Sequence, residues 1–512
     1  TMAISGLKKI GRDKYGIYPL KGKILNVRDI SIEKILKNLK IKDIIKILGL
    51  EINKEYKNTE KLRYGKILIM TDQDHDGSHI KALLLNIFHT LWPSLLDTTF
   101  ISSMITPIIK VSKNKECISF YNLTDYEKWK LVTSDYKKWK CKYYKGLGTS
   151  TAKEAIEYFE NNKIMKYINN DTKLTDESIN LAFKKDLSNK RKDWLYNYDS
   201  NEILNPDTKE VPICEFINKE LIHFSNADTL RSIASVIDGL KPSQRKILYS
   251  CFKRKLYSEI KVAQLSGYVS ENSAYHHGEM SLQSTIIGMA QNYIGSNNIN
   301  ILEPNGQFGS RIMGGHDYAS SRYIFTELNK LTNYIFPKDD FPLLSYTCED
   351  GETVEPEYYI PIIPFTLING VIGIGTGFSS LIPKYNPLDI ITNVKRKIKK
   401  IQYKLIHPWF RGFKGSIQKV SSISYITKGV YRIINNVTIE ITELPIGTWT
   451  NNYKNFLDGL IYDKLKHTKP GQFYIKDYID NSDDIKVSFI ITLKDNSYIP
   501  NIKCINEHID SI

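Results

Sequence analysis

The segment Gly65–Lys81 constrains the fold of this chain most, because it places three carboxylates directly after an apolar run. Ile67–Met70 is apolar and partly β-branched, and it predicts a buried strand. Ile80–Leu91 repeats apolar residues at helical spacing and predicts a helix. The three acids alternate between these two elements: Asp72, Asp74 and Asp76. The pattern therefore predicts a strand that carries acids to its carboxyl edge, and a helix that packs back on the sheet.

The acid segment has three interpretations. Carboxylates two residues apart repel one another unless a cation lies among them, and hard oxygen ligands favour Mg²⁺ or Ca²⁺. An EF-hand calcium loop begins like DQDHDG, but it needs a preceding helix and a glutamate at its twelfth position, where this chain has Leu83. A catalytic Mg²⁺ site that acts on phosphate is the second interpretation. A solvated acidic turn is the third, since Asp-Gly pairs are common turn formers.

Length and charge indicate the class of partner. The chain has 512 residues, enough for about three domains. It carries 71 Lys and Arg against 56 Asp and Glu, and this net charge of +15 favours a polyanionic partner, most commonly nucleic acid. No apolar run approaches the roughly 18 residues that span a membrane, and we recognise no signal peptide. The opening residues are typical of the interior of a domain, so we expect a fragment of a longer chain.

Four regions differ in pattern and predict a mixed α/β and α+β protein with several domains. Residues 1–165 alternate strands and helices, and 166–205 are helical and highly charged. Residues 206–345 contain a helix–turn–helix rhythm, which is typical of modules that present a recognition helix to DNA. Residues 346–512 combine a glycine-rich segment with alternating β-like stretches. In finer detail, we predict one helix over Ile30–Leu50, one strand over Ile101–Val111 and helical structure throughout 151–205.

Two glycine motifs are candidates for nucleotide or phosphate sites. GRDKYG has the glycine spacing of a P-loop, but Ile17 and Tyr18 stand where Lys and Ser or Thr are required. Cys141–Gly148 predicts a strand that ends in KGLG, which could cradle phosphate, although a simple turn is favoured. Since no other ATP-binding signature is present, we expect no nucleotide hydrolysis by this segment alone.

Several longer blocks carry a family resemblance. They are GRDKYGIYPLKGKILNVRD, IMTDQDHDGSHIK, YYKGLGTSTAKEA, SVIDGLKPSQRKILY, KVAQLSGYVSENSAYHHGEMSL, GQFGSRIMGGHDYASSRYIFTEL and IPIIPFTLINGVIGIGTG. In this order they resemble the DNA breakage–reunion core of type IIA DNA topoisomerases, the eukaryotic type II enzymes in particular. The resemblance covers nearly the whole chain. It implies a Rossmann-like Toprim domain for 1–165, a helical linker for 166–205, a winged-helix domain for 206–345 and an α/β tower for 346–512, with the exit-gate coiled coil missing or incomplete.

The resemblance also implies a catalytic pair. Tyr323 takes the place of the nucleophile that attacks a DNA phosphodiester and forms a 5′-phosphotyrosyl link, and Arg322 takes the place of the arginine that stabilises the transition state. A free tyrosine has a pKa of about 10 and is a weak nucleophile at neutral pH. A neighbouring guanidinium favours both the phenolate and the charged phosphorane. For an Arg-Tyr pair on a helix, the structural alternative is packing plus a solvated charge.

The metal and cofactor requirements follow from the same resemblance. Asp72, Asp74 and Asp76 match the Toprim acids that hold Mg²⁺, for which Mn²⁺ or Ca²⁺ are substitutes. A further glutamate is expected just upstream of Thr1. ATP is expected to serve only the full-length enzyme, through an ATPase region that this chain does not contain.

Further positions match residues that contact or bend DNA in the family. The expected DNA contacts are Lys23, Asn26, Arg191, Lys192, Lys241, Tyr275, His276, His277 and Ser281. Ile374 matches an apolar wedge that enters between base pairs and bends the duplex. The alternative for Ile374 is a core residue in a glycine turn, which the local sequence favours.

These implications together predict a Mg²⁺-dependent type II topoisomerase core that cleaves and religates double-stranded DNA as a homodimer. Each Tyr323 is expected to work with the acids of the partner chain and to give two staggered nicks. Two other hypotheses stay open at this point: a Toprim nuclease or primase-like protein that activates water, and a non-catalytic DNA-bending module. We expect a nuclear location, or the host cytoplasm or virion if the source is a large DNA virus.

Overall fold

The computed structural model describes residues 11, 15–114, 116–144, 146–161, 163–275, 277–349, 352–461 and 475–494. The chain divides into two compact units. The first is drawn from Thr1–Leu230 and Ile374–Phe378, and the second from Arg231–Gly373 and Ser379–Ile512. The boundary after Leu230 lies inside the region predicted as the third domain, and the predicted domain limits stay predictions.

The first unit alternates helices and strands. In chain order these are α1 Ile32–Ile35, α2 Leu39–Leu48, β1 Ile67–Ile69, α3 His75–Leu91, α4 Pro93–Leu96, β2 Ile101–Met104, β3 Ile109–Lys113, β4 Glu116–Phe120, α5 Leu123–Val132, β5 Lys140–Tyr143, α6 Ala152–Asn161, β6 Ile164–Ile168, α7 Thr172–Phe183, α8 Ser188–Tyr196, β7 Glu210–Pro212, α9 Ile213–Phe216 and α10 Ile222–Ser232. The 3₁₀ turns are Tyr136–Lys138, Leu147–Thr149 and Lys185–Leu187, and a π-helical turn, Ile217–Leu221, joins α9 to α10.

The central sheet of the first unit supports the acid segment. Its strand order is β1-β2-β6-β7, in which β1 pairs with β2 and β6 with β7 in parallel, whereas β2 and β6 are antiparallel. The strand predicted from Ile67 is confirmed and pairs with β2 from Ile101 onwards. The predicted helix is confirmed too, but it begins at His75 because the Asp74 side chain caps it. A strand therefore precedes the acids, as predicted, and the EF-hand interpretation fails on this point.

Three predictions of local structure in this unit are wrong. The helix predicted over Ile30–Leu50 is two helices, because Asn38 caps α2 by accepting hydrogen bonds from the backbone N–H groups of Lys40 and Ile41. The strand predicted over Ile101–Val111 is split into β2 and β3, which lie in different sheets on either side of Pro107.

The third wrong prediction is continuous helix over 151–205. Ile164–Ile168 forms β6, an inner strand of the central sheet. Met165 and Tyr167 are buried while their neighbours are half-buried, which is the period-two pattern of a strand. This five-residue pattern lies between charged helices in the sequence, and the helical periodicity of those neighbours makes the strand hard to recognise.

The second unit begins with three helices and ends with an antiparallel sheet. In chain order its elements are α11 Pro242–Arg254, β8 Ile260–Lys261, α12 Val262–Asn272, α13 Glu279–Ala290, β9 Phe325–Thr326, α14 Thr332–Ile335, β10 Tyr346–Glu349, β11 Glu352–Pro356, α15 Phe365–Asn369, β12 Val371–Ile374, β13 Ser379–Ile382, α16 Pro387–Ile398, β14 Ser416–Lys419, β15 Tyr425–Lys428, β16 Val430–Asn435, β17 Thr438–Glu443, α17 Thr450–Leu460, β18 Ile475–Asp480 and β19 Phe489–Leu493. A 3₁₀ segment covers Lys338–Leu343.

Helices α11–α13 share one apolar core. Leu248 of α11, Leu265 of α12 and Ile286 of α13 are fully buried in it. The two-residue strands β8 and β9 pair antiparallel, with Ile260 opposite Thr326. The predicted helix–turn–helix rhythm is therefore confirmed as α12 and α13. Further along, the predicted β-like stretches form a sheet of order β16-β17-β19-β18, with α17 packed on it through Tyr453 and Phe489.

No helix within the described ranges combines the length and apolarity that a bilayer crossing requires.

A buried ion pair holds the entrance to α11. Asp238 is fully buried, and its carboxylate accepts hydrogen bonds from Nε and Nη2 of Arg245 at 2.8 and 3.1 Å. The same carboxylate accepts the backbone N–H groups of Leu240 at 2.9 Å and Tyr359 at 3.0 Å. The pair therefore links the turn before α11 to a segment more than a hundred residues later.

Replacing this buried acid should destabilise the second unit. Asp238→Asn leaves the Arg245 guanidinium buried without its counter-charge, and we expect a loss of about 3 kcal/mol in the free energy of unfolding. Urea unfolding followed by tryptophan fluorescence measures it. The control is Lys454→Met, which removes a more exposed ion pair with Asp480 and should change the free energy by about 0.5 kcal/mol or less. Equal effects of the two substitutions would contradict the prediction.

Candidate active site

Asp72 follows β1 and faces a turn that is distant in sequence. Its Oδ1 atom accepts the backbone N–H of Leu147 at 2.6 Å. That N–H opens the 3₁₀ turn Leu147–Thr149, directly after Gly146, whose φ of +129° favours glycine. The described part of the KGLG motif, Gly146 to Gly148, therefore lies in a turn as predicted, and this turn contacts a predicted metal ligand.

Asp74 has a structural partner within its own helix. Its Oδ1 atom accepts the backbone N–H of Gly77 at 2.7 Å and caps α3. Because the first N–H groups of a helix carry partial positive charge, this position stabilises a carboxylate.

Asp76 lies in the first turn of α3 and is paired with a lysine. Lys23 Nζ is 2.7 Å from Asp76 Oδ1, and both side chains are about one third exposed, at 39% and 31%. The same ammonium lies 4.6 Å from the centroid of the Phe224 ring, which stacks on His79 at 3.9 Å. Lys23 was predicted as a DNA contact, and in this structure its charge is directed at an acid of the candidate site.

A buried network anchors the helix that carries these acids. Glu220 Oε1 accepts hydrogen bonds from Ser78 Oγ at 2.7 Å and from Lys81 Nζ at 2.9 Å. Lys81 is buried; burial lowers the pKa of its ammonium, but the Glu220 carboxylate outweighs burial and raises the pKa. Glu220 belongs to the π-helical turn Ile217–Leu221, an irregularity that often marks functional sites. The network fixes α3 to the helix that leads into the second unit.

The carboxylates of Asp72 and Asp74 offer the oxygen ligands that a divalent metal such as Mg²⁺ prefers. Within the described residues, no three His, Cys, Asp or Glu side chains converge to hold a metal ion. Asp72 and Asp74 each use only Oδ1 in hydrogen bonds among those residues, so the second oxygen of each is available. Mg²⁺ is commonly held by one or two carboxylates together with water and a substrate phosphate. The donor set therefore fits Mg²⁺, and the roles of Asp72, Asp74 and Asp76 as ligands stay predictions.

Tyr323 projects from a rigid turn rather than from a helix. Its side chain is 65% exposed, and the Arg322 guanidinium carbon lies 4.8 Å from the centroid of its ring. Backbone N–H groups at the start of α12 donate to Ser321 O at 3.1 Å and to Ile324 O at 3.0 Å, on either side of the pair. Because Ile324 is buried, the turn is fixed while the phenol stays accessible. The alternative in which Tyr323 packs into the core is wrong.

The other predicted DNA contacts of the second unit differ in exposure. His277 and Ser281 are exposed around the start of α13. Tyr275 is buried at 8% exposure and meets the His277 ring edge-on at 5.5 Å. Lys241 is half-buried at the start of α11, where its backbone N–H donates to the Gln244 side chain at 2.9 Å. His276 lies outside the described residues.

Two predicted DNA contacts of the first unit, Asn26 and Arg191, make hydrogen bonds within the protein. Asn26 donates to Phe183 O at 3.1 Å and accepts from the Asn86 amide at 2.9 Å. Arg191 Nη1 donates to Leu181 O and to a second carbonyl at the end of α7, and burial lowers the pKa of its guanidinium. Lys192 is half-buried beside it. DNA contact by these three residues stays a prediction.

Ile374 is at the end of β12, in the hairpin formed with β13, and its side chain is 80% exposed. The hairpin tip belongs to the first unit. There, Thr376 Oγ1 donates to Asp228 at 3.0 Å, and Thr376 O accepts from Thr229 Oγ1 at 3.1 Å. The alternative that Ile374 is a core residue is wrong, because the turn is held by its polar neighbours while the isoleucine faces outward.

Sequence reasoning missed three features that shape the acid segment: the contact of the Gly146–Leu147 turn with Asp72, the Glu220 carboxylate and the Phe224 ring. Gly146 and Leu147 were within reach of the sequence, because a glycine pair directly after a strand is a signal for a backbone donor site. Glu220 had no such signal, since nothing in its neighbourhood indicates that it pairs with a lysine on α3. Neither did Phe224, whose ring supports Lys23.

Three family models match the chain in order. They are the Toprim domain over residues 2–103, the C-terminal associated domain of TOPRIM over 104–229, and the A-type model of DNA gyrase/topoisomerase IV over 231–508. The third model begins at residue 231, which is also where the second compact unit begins.

Individual proteins are similar over most of this chain. It is 52% identical over 500 residues to DNA topoisomerase 2 of Saccharomyces cerevisiae, 50% identical over 499 residues to that of Plasmodium falciparum, and 48% identical over 512 residues to DNA topoisomerase 2-alpha of Homo sapiens. Each alignment covers 96% of this chain and 34%, 35% and 33% of the relative, respectively. The chain thus spans about a third of the length of the curated relatives it matches.

A solved structure agrees over nearly the whole chain. The crystal structure of the Plasmodium falciparum topoisomerase II DNA-binding, cleavage and re-ligation domain matches with a TM-score of 0.79 and 48% identity. The match covers 99% of this chain and 69% of that one.

The glycine before Leu147 should be essential for the position of Asp72. A Cβ on Gly146 would lie 2.9 Å from Asp72 Oδ2, whereas a Cβ on Gly148 would meet nothing within 4 Å. We expect Gly146→Ala to displace the carboxylate and weaken Mn²⁺ binding by about tenfold or more. Gly148→Ala is the matched control and should bind Mn²⁺ like the wild type. Electron paramagnetic resonance of free Mn²⁺ measures both, and equal affinities would refute this role of Gly146.

The hydrogen bonds that Glu154 makes on either side of the Leu147–Thr149 turn should be lost in acid. Glu154 accepts hydrogen bonds from Tyr144 Oη at 2.5 Å, Lys142 Nζ at 2.9 Å and the Thr151 N–H at 2.7 Å. Burial raises the pKa of Glu154, but these hydrogen bonds outweigh it and lower the pKa to about 2. Since the unfolded pKa is about 4.3, this stabilisation is present above that pH and is lost as the pH falls towards about 2.

Glu154→Gln should therefore lower the melting temperature of the first unit at pH 6, and its difference from the wild type should vanish near pH 2. Thermal unfolding across this pH range measures the difference. Glu177→Gln, at an exposed position on α7, should follow the wild type at every pH. A Glu154→Gln difference that is constant with pH would show that the carboxylate charge is not the cause.

Proposed function

This chain belongs to the type IIA DNA topoisomerase family, and we propose that it forms the core that cleaves and religates double-stranded DNA. The observation that carries this proposal is the exposed Tyr323 phenol beside the Arg322 guanidinium, on a turn fixed to α12. A nucleophile that must reach a DNA backbone has to be both accessible and held in place, and this turn provides both.

The proposed reaction is a transesterification. Tyr323 Oη loses its proton and attacks the phosphorus of a phosphodiester, so that a bond from the phenolic oxygen to phosphorus forms. The bond from phosphorus to the 3′ oxygen breaks, and that oxygen takes up a proton as a 3′-hydroxyl. The 5′-phosphotyrosyl link keeps the energy of the broken ester, so the reverse attack by the 3′-hydroxyl reseals the strand without ATP.

Arg322 and the acids divide the electrostatic work. The Arg322 guanidinium keeps its proton and offers fixed N–H donors to the charge that develops on the phosphate oxygens. Asp72 and Asp74 would hold Mg²⁺, for which Mn²⁺ or Ca²⁺ are substitutes. Bound there, the metal supplies a positive charge that neutralises a phosphate or leaving oxygen. The N–H of Leu147 and the cap of α3 orient these two carboxylates.

Binding and bending complete the proposal. We assign the winged helix to 206–345, supported by α11–α13 and the β8–β9 pair, and the tower to 346–512. The exposed side chains of His277 and Ser281 are the proposed phosphate contacts nearest in sequence to this module. Ile374, exposed on its hairpin, is the proposed wedge between base pairs, where unstacking costs a few kcal/mol and is offset by wider contact with the bent duplex.

The proposed assembly is a homodimer in which each Tyr323 works with the acids of the partner chain, so that the two strands are cut at staggered positions. ATP is proposed to act only in an enzyme that also contains an ATPase region. Double-stranded DNA as the substrate also fits the predicted nuclear location, which fluorescence microscopy of the tagged protein tests.

Removing the phenolic oxygen should abolish covalent capture of DNA. With Mg²⁺ and supercoiled plasmid, we expect Tyr323→Phe to bind DNA but to give no protein-linked DNA after denaturation. Arg322→Ala should reduce formation of the adduct by about 10²–10³-fold, the usual effect of losing one transition-state donor. Gel mobility of the denatured samples, compared with and without protease treatment, measures the adduct.

The matched control is Tyr334→Phe, because Tyr334 is another exposed tyrosine of the second unit. It should form the adduct like the wild type. Normal cleavage by Tyr323→Phe would instead favour a nuclease that activates water, and a wild type that bends DNA without forming any adduct would favour the non-catalytic module.

A further inference from the structure

Lys23 already supplies a positive charge to the acid segment. Its Nζ atom is 2.7 Å from Asp76 Oδ1, the distance of a charge-assisted hydrogen bond. The face of the Phe224 ring, 4.6 Å away, is a second favourable surface for the ammonium, and the stacked His79 ring supports Phe224 in turn. The lysine is thus held by a carboxylate and by an aromatic face.

The backbone of Lys23 is fixed while its side chain can move. Lys40 Nζ donates to Lys23 O at 3.1 Å and to Lys21 O at 2.6 Å, and the next residue, Ile24, is buried at 5% exposure. The side chain itself is 39% exposed and has a flexible four-carbon stem. The ammonium can therefore leave Asp76 without disturbing the fold around it.

Asp76 differs from the other two acids in the kind of partner it has. Asp72 and Asp74 are oriented by backbone N–H groups, which carry no net charge and leave each carboxylate negative. Asp76 faces a full positive charge. A divalent ion held by Asp72 and Asp74 and the Lys23 ammonium would therefore compete for the same local negative charge.

We propose that Lys23 is an internal counter-cation of Asp76, which a divalent metal displaces and which then becomes available to a DNA phosphate. The inference rests on the proposed metal site at Asp72 and Asp74. It deepens that proposal, because it makes Lys23 a positioning residue that couples the binding of the metal to the binding of DNA. By linkage, a metal that frees Lys23 raises the affinity for DNA, and DNA raises the affinity for the metal by the same factor.

The first test is Mn²⁺ binding without DNA, measured by electron paramagnetic resonance on the full chain. Lys23→Met removes the competing charge, and we expect the Kd for Mn²⁺ to fall about tenfold. Lys23→Arg keeps the charge and should bind Mn²⁺ like the wild type. Lys21→Met, two residues away and exposed, is the matched control for a general loss of positive charge and should have a much smaller effect.

A double-mutant cycle tests whether Lys23 acts through Asp76. In an Asp76→Asn background, Lys23→Met should no longer change the Kd for Mn²⁺, because the pair is already broken. An equal effect of Lys23→Met in both backgrounds, or no effect in the wild type, would overturn the proposal.

The second test measures the coupling. In a Tyr323→Phe background, where no cleavage follows, Mg²⁺ should strengthen the binding of a short DNA duplex, and Lys23→Met should remove most of this strengthening. Fluorescence anisotropy at constant ionic strength measures it. An unchanged response to Mg²⁺ in Lys23→Met would also overturn the proposal.

Failure of the proposed function has a different signature. If Asp72→Asn did not abolish Mn²⁺ binding in either the wild type or the Lys23→Met variant, the proposed metal site would be wrong. The inference about Lys23 would then fail with it. If Asp72→Asn abolished binding and Lys23→Met left it unchanged, the metal site would stand and the inference alone would fail.

Discussion

The negative charge of three carboxylates that lie close together in sequence, Asp72, Asp74 and Asp76, is the constraint around which the candidate site of the first unit is arranged. Each acid meets a partner from a different part of the chain: the N–H of Leu147, the N-terminus of α3 and the ammonium of Lys23. Because like charges close together in the chain are unfavourable without such partners, the glycine turn, the helix N-terminus and the lysine each stabilise one acid of the segment. The Lys81–Glu220 pair then fixes the helix that carries the acids.

In the second unit, the predicted nucleophile Tyr323 stays outside the core. Tyr323 and Arg322 occupy a turn between a buried Ile324 and backbone hydrogen bonds to the start of α12. The backbone hydrogen bonds and the buried Ile324 side chain hold the turn in place. The Tyr323 side chain remains exposed. Ile374 follows the same principle on its hairpin, where Thr376 makes the polar contacts and the isoleucine stays outside.

Much of the fold around the site could be predicted, because periodicity is a local property. The strand at Ile67, the helix after the acids and the helices α12 and α13 were all visible in the spacing of apolar residues. β6 was not, since five residues of alternating burial lie between charged helices. Asn26 and Arg191 show a second limit. The sequence does not show that Asn26 donates a hydrogen bond to Phe183 O or that Arg191 donates one to Leu181 O, because both partners are brought close by the tertiary fold.

The sequence by itself determined which chemical groups the molecule has and in what order: alternating acids after a strand, an Arg-Tyr pair, a glycine turn and an apolar residue in a glycine-rich hairpin. Only the tertiary structure decided which of them meet. Asp72 with Leu147, Asp76 with Lys23 and Lys81 with Glu220 are all far apart along the chain. Their partners follow from how the sheet and helices pack, because ion pairs and hydrogen bonds depend on distance in space and not on spacing in sequence.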